Sequence, residues 1–336
     1  MRALYGGGGG APHFRDVPAP ELGSGVAALV RPLAVALCDL DVAYLAHLLP
    51  TGEPYAVGHE FTAEVAAVGA DVATLRPGDV VAVPFQISCG HCDRCRGGRS
   101  LYCRSVPPLS TFGLAPFGGG DWGGAVADLV RVPYADAMCV PVPDGVDPLG
   151  VAAVSDNAVD GYRCVAPYAR AGDDVLVLGS ASVGLYAVAT ARALAVNCTY
   201  VDDAPERLAA AERLGATVVE AAPDGTGFGE FPTVAACVST PDGLLSALRS
   251  TEPGGTCVSA GIHYFPVEPP LYDLYRRGIT FVTARASARD DMPAVLRLIA
   301  QGRLAVADLT ARTATFADAP DVLSGPLPHK TVLTAD

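Results

Sequence analysis

Val175-Leu-Val-Leu-Gly-Ser-Ala-Ser-Val-Gly-Leu-Tyr-Ala-Val-Ala-Thr-Ala-Arg-Ala-Leu194 decides how the rest of the chain is read. A short apolar run, Val175–Leu178, fits a buried strand and stops at a glycine-containing turn. The segment Val183–Leu194 that follows is rich in Ala and Leu and fits a helix. The pattern then repeats. Thr199–Val201 predicts the next strand, ending at Asp202 and Asp203, and Arg207–Leu214 a second helix. Ala236–Ser239, Leu244–Arg249, Cys257–Ala260 and Ile279–Thr283 carry the alternation on more faintly. Asp291–Ala300 predicts a helix with Pro293 in its first turn. Strands alternating with helices imply parallel βαβ units, hence an α/β, doubly wound sheet.

Upstream, from residue 1 to about 155, the texture differs. Short apolar runs such as Val26–Val30, Phe61–Val68 and Val80–Val83 are separated by Gly and Pro, which predicts a strand-rich, irregular domain. The 336 residues carry 23 Lys and Arg against 36 Asp and Glu, a formal charge of −13. That surplus repels nucleic-acid backbones and anionic membrane surfaces, so neither is expected as a partner. Half the residues are apolar, which excludes a disordered chain. The uncharged run 175–191 is interrupted by Gly and Ser and falls short of the about 20 residues of a membrane span. The segment MRALYGGGGG has no apolar signal core, and a cytoplasmic location is expected.

Ten cysteines are too few for a disulfide-stapled chain, yet Cys89, Cys92, Cys95 and Cys103 crowd together at C-x2-C-x2-C-x7-C spacing. Such intervals let four thiolates converge on one tetrahedral ion, a structural zinc closed by sulfur; free or redox-active thiols are the bland alternative. Arg94, Arg96, Arg99 and Arg104 lie between and beside the cysteines and offset their charge. Cys38 and Gly58-His59-Glu60 are uninformative singly, since a lone His or Cys is more often packing than ligand.

The order Cys38, then Gly58-His59-Glu60, then the four-cysteine loop, then a Gly-rich βαβ unit is similar to that of the zinc-dependent medium-chain dehydrogenases. The chain resembles that family over essentially its whole length. The resemblance implies a GroES-like catalytic domain over 1–156 and 287–336, with a Rossmann domain over 157–286 and the active site in the cleft between them. It implies that Cys38 and His59 are ligands of a catalytic zinc and that Glu60 is the acid just behind the metal. The third ligand stands five residues before a Gly in the family, here Asp156; Asp160, one helical turn on, competes for the role. Three protein ligands leave a position open for a substrate oxygen. Two zinc ions per chain are therefore expected.

Gly179-Ser-Ala-Ser-Val-Gly184 resembles the pyrophosphate-binding turn, with Gly179, Ala181, Val183 and Gly184 as cofactor contacts. Ala181 replaces the middle glycine of the usual pattern. Asp202, about 20 residues on, stands where an acid binds the adenosine ribose, unless it is only a helix cap. Together with Asp203 it predicts NAD rather than NADP. Lys330 stands where the family often has a base reaching the cofactor phosphates. The edge strand Ile279–Thr283 is the expected pairing surface for a homodimer or homotetramer.

The pattern is broken around the substrate. Leu40 stands where many members carry the proton-relaying Ser or Thr, Ala43 where some have His, and Asp39 and Asp160 also depart. Three readings follow. One is hydride transfer between NAD(H) and an alcohol or aldehyde, with the proton carried by water, Asp160 or another group. The second is a reductase of C=C or C=N bonds, and the third a non-catalytic dinucleotide binder. Arg131–Asp136 and the Ser155-Asp156 run look most like the branch of glutathione-independent formaldehyde dehydrogenases and dismutases.

Overall fold

The computed structural model describes residues 1–45, 52–117, 122–179, 182–225 and 227–335. They form two compact units. One comprises Met1–Asn157, Ser287–Ala300 and Val306–Asp336, the other Ala158–Ala286 and Gln301–Ala305.

The first unit is built on the long strand Ala28–Leu37, seven of whose ten residues are buried. Glu60–Val68 pairs with it antiparallel on one side, and Thr331–Thr334 on the other. Val80–Val83, Val140–Pro141 and Arg312–Thr315 extend the sheet outward, and Val130–Val132 also pairs with the long strand. The ladder shifts register between Pro32 and Ala34. Pro32 has no N–H to donate, so a bulge forms there, and the residues beyond it are re-aimed. A second sheet of Gly10–Asp16, Arg2–Gly7 and Tyr55–Ala56 completes the unit's strands, with the helix Ala288–Ala300 alongside. That helix begins a turn earlier than expected, because Gln86 accepts from Ala288 N at 3.1 Å and Ser287 bonds Asp290 at 2.6 Å. Pro293 consequently falls inside it rather than in its first turn.

The second unit is a six-stranded parallel sheet. Its spatial order is Thr217–Glu220, Asn197–Asp202, Asp174–Leu178, Phe231–Ala236, Thr251–Ser259, Thr280–Thr283. Numbered along the chain this is 3-2-1-4-5-6, the doubly wound order whose direction reverses between Asp174–Leu178 and Phe231–Ala236. The helices Ser182–Ala193 and Pro205–Arg213 follow the first two strands. Leu176, Leu178, Val201, Val234, Ala236, Leu244, Leu248 and Cys257 form one apolar cluster, at about 1.5–3 kcal/mol for each large side chain. The fourth strand differs from expectation. It occupies Phe231–Ala236 rather than Ala236–Ser239, because its pairing with the strands on either side runs upstream of Ala236 and ends there. Thr217–Glu220 carries little hydrophobic signal, being largely exposed at the sheet edge.

Candidate active site and metal centres

Strand register assembles the first cluster. Ala36 pairs with Glu60, and Leu37 with Thr331, so Cys38, His59 and Lys330 emerge at the same end of three neighbouring strands. Gly58 sits at φ +102°, and a Cβ there would lie 2.9 Å from Val126 N, so only glycine turns the chain into His59 at that point. Asp156 arrives from elsewhere. Ser155 docks on the sheet by donating to Phe61 O at 2.9 Å while its own carbonyl accepts from Phe85 N.

The result is a buried group in which one ligand atom each from Cys38, His59, Glu60 and Asp156 all lie within 4.8 Å of one another. His59 Nε2 is 3.4 Å from Cys38 Sγ and 3.4 Å from Asp156 Oδ2. A tetrahedral zinc with Zn–S of about 2.3 Å and Zn–N of about 2.0 Å spaces such atoms by about 3.5 Å, so the donor set fits that ion. His59 Nδ1 faces Asp41 Oδ1 at 3.3 Å, the outer partner that turns Nε2 into a lone-pair ligand. Asp41 also accepts from Cys38 N at 3.0 Å, and Leu40 N donates to Cys38 Sγ at 3.3 Å. Burial pushes the Cys38 thiol up to about 12. Burial also works against a charged imidazole, but Asp41 and Cys38 outweigh it and raise the His59 pKa well above its usual value. A thiolate at Cys38, buried beside Asp156, would need a cation next to it.

Glu60 contributes one oxygen 3.8 Å from His59 Nε2. Both of its oxygens are held by Lys330 Nζ, at 3.0 and 2.8 Å, and Asn157 Oδ1 takes the same ammonium at 2.9 Å. This corrects the expectation for Lys330. Its ammonium is turned into the interior of the first unit, fully buried on Glu60, rather than presented to a cofactor phosphate. Burial raises Glu60 to about 8 even against the pull of Lys330. Asp160 takes no part in the cluster; its carboxylate is held by Arg163 Nε at 2.5 Å. Asp41 and Asn157 were not singled out from sequence. The one available signal for Asp41 is its position one helical turn after Cys38.

The four-cysteine loop forms a second group, with all four sulfurs within 4.8 Å of one another. Cys92 and Cys95 sulfurs are 3.5 Å apart, Cys89 and Cys95 sulfurs 4.0 Å. The edge of a zinc–thiolate tetrahedron is about 3.8 Å. Backbone hydrogen bonds, that from Arg104 foremost, draw the Cys92 thiol down to about 6. Arg104 also pairs with Asp93 at 2.8 Å on the surface. No disulfide joins any of the ten cysteines.

In the second unit Gly179 directly follows the first strand, and Val183 and Gly184 lie in the first turn of the helix Ser182–Ala193; Ala181 lies outside the described residues. Tyr200 packs directly beneath Gly179, leaving no space for a side chain. Its hydroxyl donates to Asp202 Oδ2 at 2.6 Å. Asp202 also accepts from Ala204 N at 2.9 Å and from Arg207 Nε and Nη2 at 2.7 Å each. Burial raises its carboxyl, but the bonds from Arg207 and Tyr200 prevail and hold it below the usual range. The acid ends its strand as expected, but every lone-pair position already has a donor. Arg207 must yield before a ribose hydroxyl is accepted.

Residues 24–144 match the model of the alcohol dehydrogenase GroES-like domain and residues 182–301 that of the zinc-binding dehydrogenases. A Mycobacterium tuberculosis protein described as a probable zinc-binding alcohol dehydrogenase is 30% identical, over 91% of this chain and 80% of its own length. The glutathione-independent formaldehyde dehydrogenase of Pseudomonas aeruginosa is 31% identical, over 63% of this chain and 55% of that enzyme. The solved alcohol dehydrogenase of Thermus sp. ATN1 superposes with a TM-score of 0.90 at 28% identity, covering 100% of both chains. The chain belongs to the zinc-binding, medium-chain alcohol dehydrogenase family. It is an oxidoreductase that depends on zinc and works with a dinucleotide.

Proposed function

We propose that the protein transfers hydride between NAD(H) and a small alcohol or aldehyde, with one zinc on Cys38, His59 and Asp156 and a second on the four-cysteine loop. The observation that carries this reading is the convergence of Cys38, His59 and Asp156 in one buried group. A zinc ion held there supplies Lewis acidity toward the substrate oxygen. Asp41 faces the His59 ring, Glu60 tunes the charge behind the ligands, and Lys330 partly offsets the burial that raises Glu60. Leu40 offers only its backbone N–H, to Cys38, so the proton of an alcohol must leave by another group than the usual hydroxyl relay. NAD is favoured over NADP because Asp202 and Asp203 face the single cation Arg207, leaving a negative charge that repels a 2′-phosphate.

Metal analysis with a substrate panel tests this. About two zinc ions per chain and NADH absorbance changes with alcohols or aldehydes are expected. Silence across that panel with rapid oxidation of NADH by an enal or iminium would point instead to a C=C or C=N reductase.

A homodimer or homotetramer is proposed from the edge strand Thr280–Thr283, which pairs on one side only among the described residues. Leu271, Tyr272 and Tyr275 are exposed in the helix before it, as is Phe281 in the strand, and an open apolar edge of this kind invites a partner. Light scattering on Phe281→Lys checks this, with a shift to monomer expected. A cytoplasmic location is proposed alongside; no described helix is long and apolar enough to cross a membrane.

A further inference from the structure

The segment Ala158–Ala286 forms most of the second unit; the chain leaves the first unit after Asn157 and re-enters it at Ser287. Each crossing is held beside one of the two ligand clusters. At the entry, Asn157 follows Asp156 and accepts from Lys330 Nζ at 2.9 Å. At the exit, the hold comes from the four-cysteine loop.

Ser287 and Asp290 stand at the spacing of a capping box at the start of the helix Ala288–Ala300, but their side chains reach out to the loop. Asp290 Oδ2 accepts from Ser100 N at 2.9 Å, and Ser287 Oγ accepts from Leu101 N at 3.2 Å. The Ser287 hydroxyl donates to Asp290 at 2.6 Å and lies 3.3 Å from Ser100 Oγ, so these groups form one network. Ser100 is buried, and its N–H meets a carboxylate, which makes that bond the strongest of the set. Gln86, three residues before Cys89, accepts from Ala288 N at 3.1 Å. Arg289 Nε donates to Ala137 O at 2.5 Å, and Gly90 packs on Ala137 too closely to admit a side chain. The first turn of the helix is therefore held from both ends of the cysteine loop, by residues nearly two hundred positions away in the chain.

We propose that the four-cysteine loop is a latch on the exit crossing: ordered by its ion it fixes Ser287–Asp290, and emptied of its ion it lets that turn open. The proposal rests on the zinc assigned to the loop above and gives that ion a task beyond closing the loop itself. Such a coupling is reciprocal. The factor by which the ion restrains the turn is the factor by which the intact turn tightens the ion.

Hydrogen–deuterium exchange on the full-length protein, with and without excess EDTA, tests it. Removal of zinc is expected to speed exchange at Ala288 and Asp290 by about tenfold, the loss of roughly one good hydrogen bond. The strand Ala28–Leu37 should change by less than about twofold on the same scale. Asp156→Ala, in which only the loop holds zinc, should respond to EDTA in the same way. Ser287→Ala should exchange fast at this turn even with zinc bound and respond little to EDTA. Its loop should also hold zinc about tenfold more weakly in competition with a chromogenic chelator, as reciprocity demands. Ser287→Thr, which keeps the hydroxyl, should restore both properties. Unchanged exchange at Ala288 and Asp290 in wild type on zinc removal overturns the latch, as does acceleration only in step with Ala28–Leu37, the mark of general loosening. Unchanged zinc affinity in Ser287→Ala overturns it equally. Wild type whose loop holds no zinc before EDTA is added overturns the zinc reading as well, and metal analysis shows that failure before any exchange is measured.

Discussion

The four-cysteine loop and the Cys38–His59–Asp156 centre gather their ligand atoms to the same closeness, within 4.8 Å, by opposite means. The loop draws on neighbouring residues, lies partly exposed, and has only the short helices Asp93–Arg96 and Ser100–Tyr102 for internal structure. The other centre draws on three remote segments that a sheet brings together and is buried throughout. Local ligands with little framework mean that the ion orders the chain. Remote ligands on a prebuilt framework mean that the chain presents a site to the ion. Loss of metal should therefore affect stability at one centre and chemistry at the other.

The largest effect expected is at the buried centre. Asp156→Ala should lower turnover by about a thousandfold or more, since Lewis-acid stabilisation is worth several kcal/mol. Circular dichroism and the zinc on the loop should be unchanged, and near-normal activity would show that Asp156 is not a ligand. Next comes the loop. Cys103→Ser should lower the melting temperature by on the order of 10 °C and open residues 89–103 to protease, whereas Asp156→Ala should do neither. Equal thermal shifts in the two variants would erase the distinction. Asp41→Asn, which disturbs the support of His59, should weaken metal binding at the buried centre by about 10–100-fold, read by competition with a chromogenic chelator. The smallest effect belongs to the loop's surface. Asp93 and Arg104 meet at 2.8 Å with both side chains more than half exposed, and such pairs contribute about 0–1 kcal/mol. Arg104→Ala should then move the melting point by no more than about 3 °C. A larger shift would mean that the loop is held by more than its metal.

What sequence disclosed follows the same division. The strand–turn–helix at Val175–Leu194 and the cysteine spacing are written in consecutive residues, and their local rules suffice. Cys38, His59 and Asp156 were reachable through family resemblance, which supplied an order of residues that no local rule connects. Their supports were not. Asp41 and Asn157 belong to no motif, because their roles depend on which strands pair and in what register. Lys330 illustrates the limit. Its position suggested a phosphate contact, whereas pairing of Thr331 with Leu37 delivers its ammonium to Glu60. Asp202 was readable as the acid at a strand's end, but its occupation by Arg207 and Tyr200 depends on side-chain packing. The fourth strand of the parallel sheet was misplaced because Ala236–Ser239 is apolar enough for a strand, whereas pairing with the strands on either side ends at Ala236.

The pairing of Ala36 with Glu60 has a consequence for folding and for change over generations. Side chains alternate between faces, so slipping one strand by a single position would turn His59 away from Cys38. Only the correct alignment could collect a metal ion at the proposed site, and an ion bound there would act as proofreader of the sheet. A single insertion between Ala34 and Cys38 would by the same reasoning break the proposed site.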